Sequence, residues 1–501
     1  MSRMKLLLVF TGFCLTVSKG ADPPRVTTQQ GIVEGEVLLS RNGREYYSFL
    51  QLPYGKANRF QAPTNPDKHN GVLKANDTGS ECAQNFWFSN EHLGIEECLN
   101  LHVHSPKLNG SLPVMVYFHG GGFTVSSANE YHEKYFMDED VVLVLVNYRL
   151  GVFGFLSTAV SQSGSALNPW ALSPFPAKMA SKFGKAVNCT TKSSRGLLNC
   201  LLGKSTEELL TGMKFLVEWG YDPFTPFGPV LEAKIPGSFL IDHPAELLKT
   251  GKFNRVPWMG GLNEDEGHMM HSAFILANPE LSADLKKNWH RIFPITLQFN
   301  EVYYNFTPVA QAIMADKIHK FYFGNKPIDT SSRKELTDLF SDRFFNHGIK
   351  QALLLASNFT KVFPYIFTHN RGDYTLLKVL GIDGNYGVSH ADELTFLFSN
   401  FHGEAPEFKK GSASEQVSKN LVKLWVSFAR DKKPTALWGS QKIWNPISNG
   451  GSSGQEQVLR LYKLDTDTAL VPEHFTRRAA FWDQILADAV KQSRKGSQPR
   501  G

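Results

Sequence analysis

The stretch Val141–Gly151, VVLVLVNYRLG, limits the fold more than any other part of the chain. Valine and leucine follow one another without polar alternation, so a strand here carries apolar side chains on both faces. Such a strand is buried from both sides, as a central strand is in a parallel sheet covered by helices. Parallel neighbours cannot be joined by a tight turn. Each needs a crossover of about a dozen residues or more, usually a helix. An α/β fold is therefore expected, and 501 residues suffice for one large core.

A second buried strand, LPVMVYFHGGGF (112–123), runs straight into three glycines. Upstream, 28–37 and 45–52 read as antiparallel strands, and CLNLHVHSP (98–106) alternates apolar and polar positions. Beyond residue 200 helices and loops mix. A short amphipathic helix falls within 238–253, while 256–267 reads as strand, then loop. Residues 309–321 and 347–358 read as helical, and VFPYIFTH (362–369) as a strand. The clearest amphipathic helix spans 414–434, opening near Ser414 and stopping before Pro434; a final helix spans 474–490. Residues 21–490 are read as a single domain. SNGGSSG (448–454) is a flexible loop and the basic stretch 491–501 a loose tail.

Residues 1–20 join Arg3 and Lys5 to an apolar run, Leu6–Val17, too short to span a bilayer, which is the make-up of a secretory signal. No later stretch reaches about 18 uninterrupted apolar residues, so no transmembrane segment is expected and the protein should be secreted, an extracellular chain. Cysteine usage agrees. Once Cys14 leaves with the signal, Cys82, Cys98, Cys189 and Cys200 remain, an even number in an oxidising compartment. Sequence alone permits three pairings; the local one, Cys82–Cys98 with Cys189–Cys200, closes two short loops and is preferred. Neither pair has metal-site spacing with histidines. Sequons begin at Asn76, Asn109, Asn188, Asn305 and Asn358 and belong on the surface if glycosylated. Cys189 works against the use of Asn188. The net charge, +6, is small for this length and gives no reason to expect a nucleic-acid partner.

Three motifs carry chemistry. HGGGF (His119–Phe123) follows a buried strand, and glycines let bare backbone amides approach a ligand closely. Two such amides, at Gly121 and Gly122, can stabilise the oxyanion formed when an ester carbonyl is attacked; the plainer alternative is a glycine turn. His390 lies in YGVSHADELTFLF (386–398), where it can act as a general base or simply be structural. Glu266, in GGLNEDEG (260–267), can orient a histidine or sit in an exposed acidic loop, with Asp265 and Glu264 as weaker candidates.

Taken together, EECLNLHVHSP (96–106), PVMVYFHGGGF (113–123), NYRLGVFGFLS (147–157), AVSQSGSALNPW (159–170), GLNEDEG (261–267) and GVSHADELTFLF (387–398) closely resemble the type B carboxylesterases and cholinesterases, especially the secreted esterases of insects. The resemblance runs from about residue 25 to 485. It implies an α/β-hydrolase fold with a mostly parallel central sheet, a Ser–Glu–His triad, small-molecule carboxylic esters as substrates, and no metal or cofactor. By motif position Glu266 matches the family's acid, His390 its base, and Gly121 and Gly122 two oxyanion-hole glycines. Cys82–Cys98 and Cys189–Cys200 match its disulfide loops. Glu96 and Arg149 match a structural ion pair near the base.

One piece of the pattern is missing. The family's nucleophile sits in a G-x-S-x-G elbow expected between GVFGFLS and AVSQSG, yet here Thr158 joins Ala159 directly. The one such string in the sequence is Gly450–Gly454, whose Ser452 lies in the Ser/Gly loop rather than between strand and helix. Ser163, in SQSGS, lacks the upstream glycine, and neither it nor Ser165 is a credible substitute. The literal chain is therefore expected to be inactive, and strands 141–147 and 159–163 to flank the absent nucleophile strand. Each buried backbone group so orphaned would cost about 1–3 kcal/mol against a total stability of about 5–15 kcal/mol. Loss of one coherent piece fits a skipped exon or an incomplete gene model of an active esterase. The alternatives are a secreted non-catalytic binding protein and a product without a stable fold.

Overall fold

A computed structural model describes residues 22–56, 58–85, 91–150, 160–235, 238–269, 271–300, 306–372, 374–379, 381–382, 386–401, 405–447 and 458–496. The expected signal (1–20), the junction at 158/159, Asn305, Ser452 with the whole of its loop (448–454), and the last five residues lie outside the described residues.

The strands are β1 (Arg25–Thr27), β2 (Ile32–Glu34), β3 (Glu36–Leu39), β4 (Glu45–Pro53), β5 (Val72–Lys74), β6 (Gln84–Asn85), β7 (His92–Leu93), β8 (Asn100–Ser105), β9 (Val114–Phe118), β10 (Val142–Val146), β11 (Val160–Gln162), β12 (Trp258–Asn263), β13 (Val362–Phe367), β14 (Arg460–Leu464) and β15 (Ala469–Pro472). Two five-stranded sheets dominate, ordered β3-β4-β8-β10-β9 and β11-β12-β13-β14-β15. In the first, β10 pairs parallel to β9 and antiparallel to β8. In the second, β11, β12, β13 and β14 are all parallel and β15 closes the edge antiparallel.

The apolar run that suggested a central strand is one: β10 has partners on both sides. Contrary to the expectation from sequence, it does not border the break in the sheet. The chain returns from β9 to place β10 on β9's inner side, so β9 and β11 are the strands left at the two facing edges. VFPYIFTH gives β13, buried along its whole length between two parallel partners.

Helices cover these sheets. Ala413–Asp431 opens where the Ser412 hydroxyl accepts the Glu415 amide at 3.1 Å, and it ends at Lys432, whose left-handed φ of +57° stops the helix before Pro434. Its buried stripe of Leu421, Val422, Leu424 and Trp425 packs in the core that includes Met259, Phe363 and Tyr365. A second core joins the helices Pro279–Thr296, Pro308–Tyr322 and Thr476–Gly496 to the other face of β12 and β13. The last helix thus runs through the first residues expected to belong to a loose tail. The helix expected at 347–358 begins earlier: Arg333–Ser341, a π-helical turn Asp342–Asn346 and His347–Ser357 form one continuous rod.

Both disulfides take the local pairing, Cys82–Cys98 and Cys189–Cys200. Asn76, Asn109, Asn188 and Asn358 are exposed. Among the described residues no helix is long and apolar enough to cross a membrane.

Gly261 tests how tightly the second sheet is packed. A methyl there would lie 2.4 Å from the buried Tyr365 ring. Gly261→Ala is expected to lower the unfolding free energy by about 1–3 kcal/mol, read as an earlier denaturant midpoint with an unchanged slope.

Candidate active site

The chemistry-bearing side chains gather at the C-terminal ends of the parallel strands, the rim where open α/β sheets present ligand sites. The glycine turn follows β9, Glu266 follows β12, and His390 sits on a loop beyond β13.

Glu266 is sealed from water, its side chain 0% exposed. One carboxylate oxygen accepts the Asn263 amide at 2.7 Å and the other meets His390 Nδ1 at 2.7 Å. Since the carboxylate can only accept, Nδ1 carries the proton and Nε2 is left as the basic nitrogen of the neutral ring. The His390 ring rests against Phe345, with centroids 4.7 Å apart, and its edge lines the main cavity. Burial works against a charged ring. The Glu266 hydrogen bond and charge, helped by Glu393 and Asp392, outweigh it and hold the His390 pKa above its ordinary 6.5.

Two more carboxyls crowd this loop. Asp392 accepts the amides of Ser389 at 2.7 Å and Leu376 at 2.9 Å. Glu393 is held by the side-chain amides of Asn263 and, at 3.1 Å, of Gln162 on β11. Burial raises both to about 7, and for Glu393 the nearby Glu266 charge adds to the rise. Ala391, next to the histidine, has φ +67°. That left-handed value costs a residue with a side chain about 1–2 kcal/mol, strain that the locked loop absorbs.

On the opposite wall, Gly121 and Gly122 have φ +103° and +57°. A methyl on Gly121 would strike the Val125 carbonyl oxygen at 2.1 Å, and one on Gly122 the Phe224 ring at 2.4 Å. Only glycine fits either place. Among the described residues no acceptor takes the amide of either glycine. His119 turns inward: its ring stacks on Tyr148 with centroids 4.4 Å apart, and burial lowers its pKa to about 4.

The cavity between these walls measures about 2320 Å³. Its lining includes Val114, Val116 and Phe118 of β9, Ser161 and Gln162 of β11, and the aromatic Trp170. That volume exceeds the 300–1,000 Å³ of an ordinary ligand pocket because it takes in the space between the two sheet edges.

Of the candidate serines, Ser165 lines this cavity and Ser163 does not. Ser163 is buried at φ +57° and donates its amide to the Gly261 carbonyl at 2.9 Å; its hydroxyl has no partner. Ser165 donates its hydroxyl to Asn168 at 2.7 Å. Neither bonds His390. Asp265 accepts the Val388 amide at 3.2 Å and burial raises it to about 6, so it braces the histidine loop from below.

Glu96 and Arg149 do not form the expected ion pair. Arg59 takes both Glu96 oxygens, and Thr206 donates to one of them. Arg149 spends its fork on the carbonyls of Asn58 and Gln61. Sequence reasoning also missed Asn263, which ties Glu266, Glu393 and the Ser389 carbonyl together. Its place inside GLNEDEG, three residues before Glu266, was the available signal. Among the described residues no group of His, Cys, Asp or Glu is arranged to hold a metal ion.

A helix-covered sheet that presents a histidine–glutamate pair opposite a glycine turn at its C-terminal rim defines an α/β-hydrolase fold. The Carboxylesterase family model matches residues 22–160 and 157–482, and the chain belongs to the carboxylesterase family. It is 30% identical to the juvenile hormone esterase of Tribolium castaneum over 537 aligned positions, covering 88% of this chain and 90% of that one. Against venom carboxylesterase-6 of Apis mellifera it is 27% identical, over 89% of this chain and 92% of the relative. The crystal structure of juvenile hormone esterase from Manduca sexta, with OTFP covalently attached, superposes with a TM-score of 0.76 at 20% identity, covering 93% of this chain and all of that one.

The raised His390 pKa fixes a sign. The Glu266 interaction adds stability that is complete below pH 6.5 and fades as pH rises through the elevated folded value. In an NMR titration His390 is expected to turn over above the ordinary histidine value, and Glu266→Gln to bring its midpoint below that of the wild type. An unmoved midpoint in the variant would remove Glu266 as the cause.

Proposed function

We propose that this chain keeps the ester-binding cleft of its family without the acyl-transfer chemistry, and that it is a secreted, extracellular protein. In the parent reaction a serine attacks the ester carbonyl while His390 Nε2 takes its proton. Glu266 steadies the imidazolium, and Gly121 and Gly122 cradle the oxyanion. The alcohol leaves with the proton from His390, and water then frees the acid by the same route. Here the first actor is missing: among the described residues no serine hydroxyl bonds His390. An apolar ester can enter the cleft and meet the glycine amides, but among the described residues nothing is placed to attack it.

The observation that carries this reading is that β9 and β11, edge strands with no second partner among the described residues, face one cavity where a continuous sheet would hold one more strand. The alignment to the Tribolium castaneum esterase supports it as well, because its 537 positions outnumber the residues of the whole chain. An apolar leader at 1–20, two disulfides and four exposed sequons support export.

Two measurements test the reading. Purified chain is expected to show steady-state ester turnover at least about 10⁶-fold below that of a serine-competent relative, a gap typical of lost triad serines. His390→Ala should leave that residual rate unchanged. Tryptic mapping of the natural secreted protein should yield residues 150–178, LGVFGFLSTAVSQSGSALNPWALSPFPAK, as one peptide. If the peptides instead continue beyond Thr158 into a G-x-S-x-G serine, the natural protein is a working carboxylesterase and the non-catalytic reading fails.

A further inference from the structure

A second serine–histidine–aspartate constellation lies on the same sheet rim, away from His390. His369 follows β13 and Asp465 follows β14, so two adjacent parallel strands deliver them side by side; the Thr368 amide, bonded to the Leu464 carbonyl at 3.1 Å, carries the ladder one step past the strand ends. His369 Nδ1 meets Asp465 Oδ1 at 2.9 Å, and His369 Nε2 meets the Ser414 hydroxyl at 3.0 Å. Ser414 stands in the first turn of the helix Ala413–Asp431.

The proton positions follow from the partners. Three further groups donate to the Asp465 carboxylate: the Thr466 amide at 2.7 Å, the Thr368 hydroxyl at 3.0 Å and the Lys463 ammonium at 3.2 Å. Burial pushes Asp465 up, but these bonds and the one from His369 hold it well below the usual carboxylate range. An ionised Asp465 can only accept, so in the neutral ring Nδ1 carries the hydrogen and Nε2 accepts from the Ser414 hydroxyl. The edge of the Phe396 ring, with centroids 5.5 Å apart, steadies the imidazole. Ser412 caps the helix by taking the Glu415 amide, while the first-turn amides of Ala413 and Ser414 have no carbonyl four residues back within the helix. Those amides sit at the positive end of the helix dipole, which favours negative charge nearby.

We infer that Ser414, His369 and Asp465 form an acyl- or phosphonyl-accepting site distinct from the His390 cleft. The Ser414 oxygen bonds to the carbonyl carbon or phosphorus of a small activated ester as its proton passes to His369 Nε2. The bond to the leaving group then breaks, and His369 returns the proton to it. Ser414 is only partly exposed and does not line the main cavity, so the site takes compact reagents with good leaving groups rather than long esters.

The test is covalent labelling of the full chain with a small fluorophosphonate, followed by tryptic mapping. The adduct is expected on Ser414 within the peptide 411–419, GSASEQVSK, in folded protein. It should vanish in Ser414→Ala, and His369→Gln should slow it at least about 100-fold, the scale of a lost general base. His390→Ala should leave it unchanged, which separates this site from the cleft. Absence of the adduct from folded wild type overturns the inference. So does labelling of Ser414 at the same rate in heat-unfolded wild type, a control that does not depend on any variant folding.

Discussion

A carboxylate removed from water sets the terms for the whole rim. An unpaired buried carboxylate costs several kcal/mol, so Glu266 has to find partners, and it finds two: the Asn263 amide from its own strand and the imidazole of a loop more than a hundred residues later. That demand pins His390, and the pinned loop then carries Asp392 and Glu393 into the same interior. Three acids this close cannot all be charged at little cost. Glu266 keeps the histidine as its counter-ion, while Asp392 and Glu393 are pushed towards neutrality near pH 7. The left-handed Ala391 is tolerated because the surrounding hydrogen bonds leave the loop no other path.

The same rim shows what a sheet does with an incomplete strand order. β10 is satisfied on both sides and β13 is buried throughout, so each half-sheet is sound in itself. The unsatisfied boundary falls on β9 and β11, where Val114 and Val116 are left half exposed. Cohesion between the halves comes instead from the core around the helix Ala413–Asp431 and from single polar ties such as Arg41, between β3 and β4, to Ser418 of that helix.

Much of this was legible in the sequence because it rests on local signals. Unbroken valine and leucine marked β10, the capped amphipathic stripe marked Ala413–Asp431, and the short cysteine spacings marked both disulfides. Strand order was not legible. Nothing in the run 141–151 says on which side of β9 it lies, and so the wrong strand was placed beside the break. The rod from Arg333 to Ser357 was read only from residue 347 because RKELTDLFS is strongly charged and the π turn DRFFN throws off the 3.6-residue period. Glu96 was assigned to Arg149 by motif. Its actual partner, Arg59, is set by how two distant loops meet, which no pattern within either loop records.

That π turn has a consequence for how the chain can vary. A π turn is an α-helix carrying one extra residue, and all five of its residues, Asp342–Asn346, are buried. The irregular pitch frees the Phe344 and Phe345 carbonyls, which accept from the side chains of Asn168 and Trp170, and it aims the Phe345 ring at His390. Deleting a single residue there would restore regular pitch and return those carbonyls to the helix's own ladder, with the residues beyond on nearly the same face. The floor of the His390 cleft and the anchor of the 165–171 segment would be lost in one step, so this five-residue run should tolerate changes of side chain far more readily than any change of length.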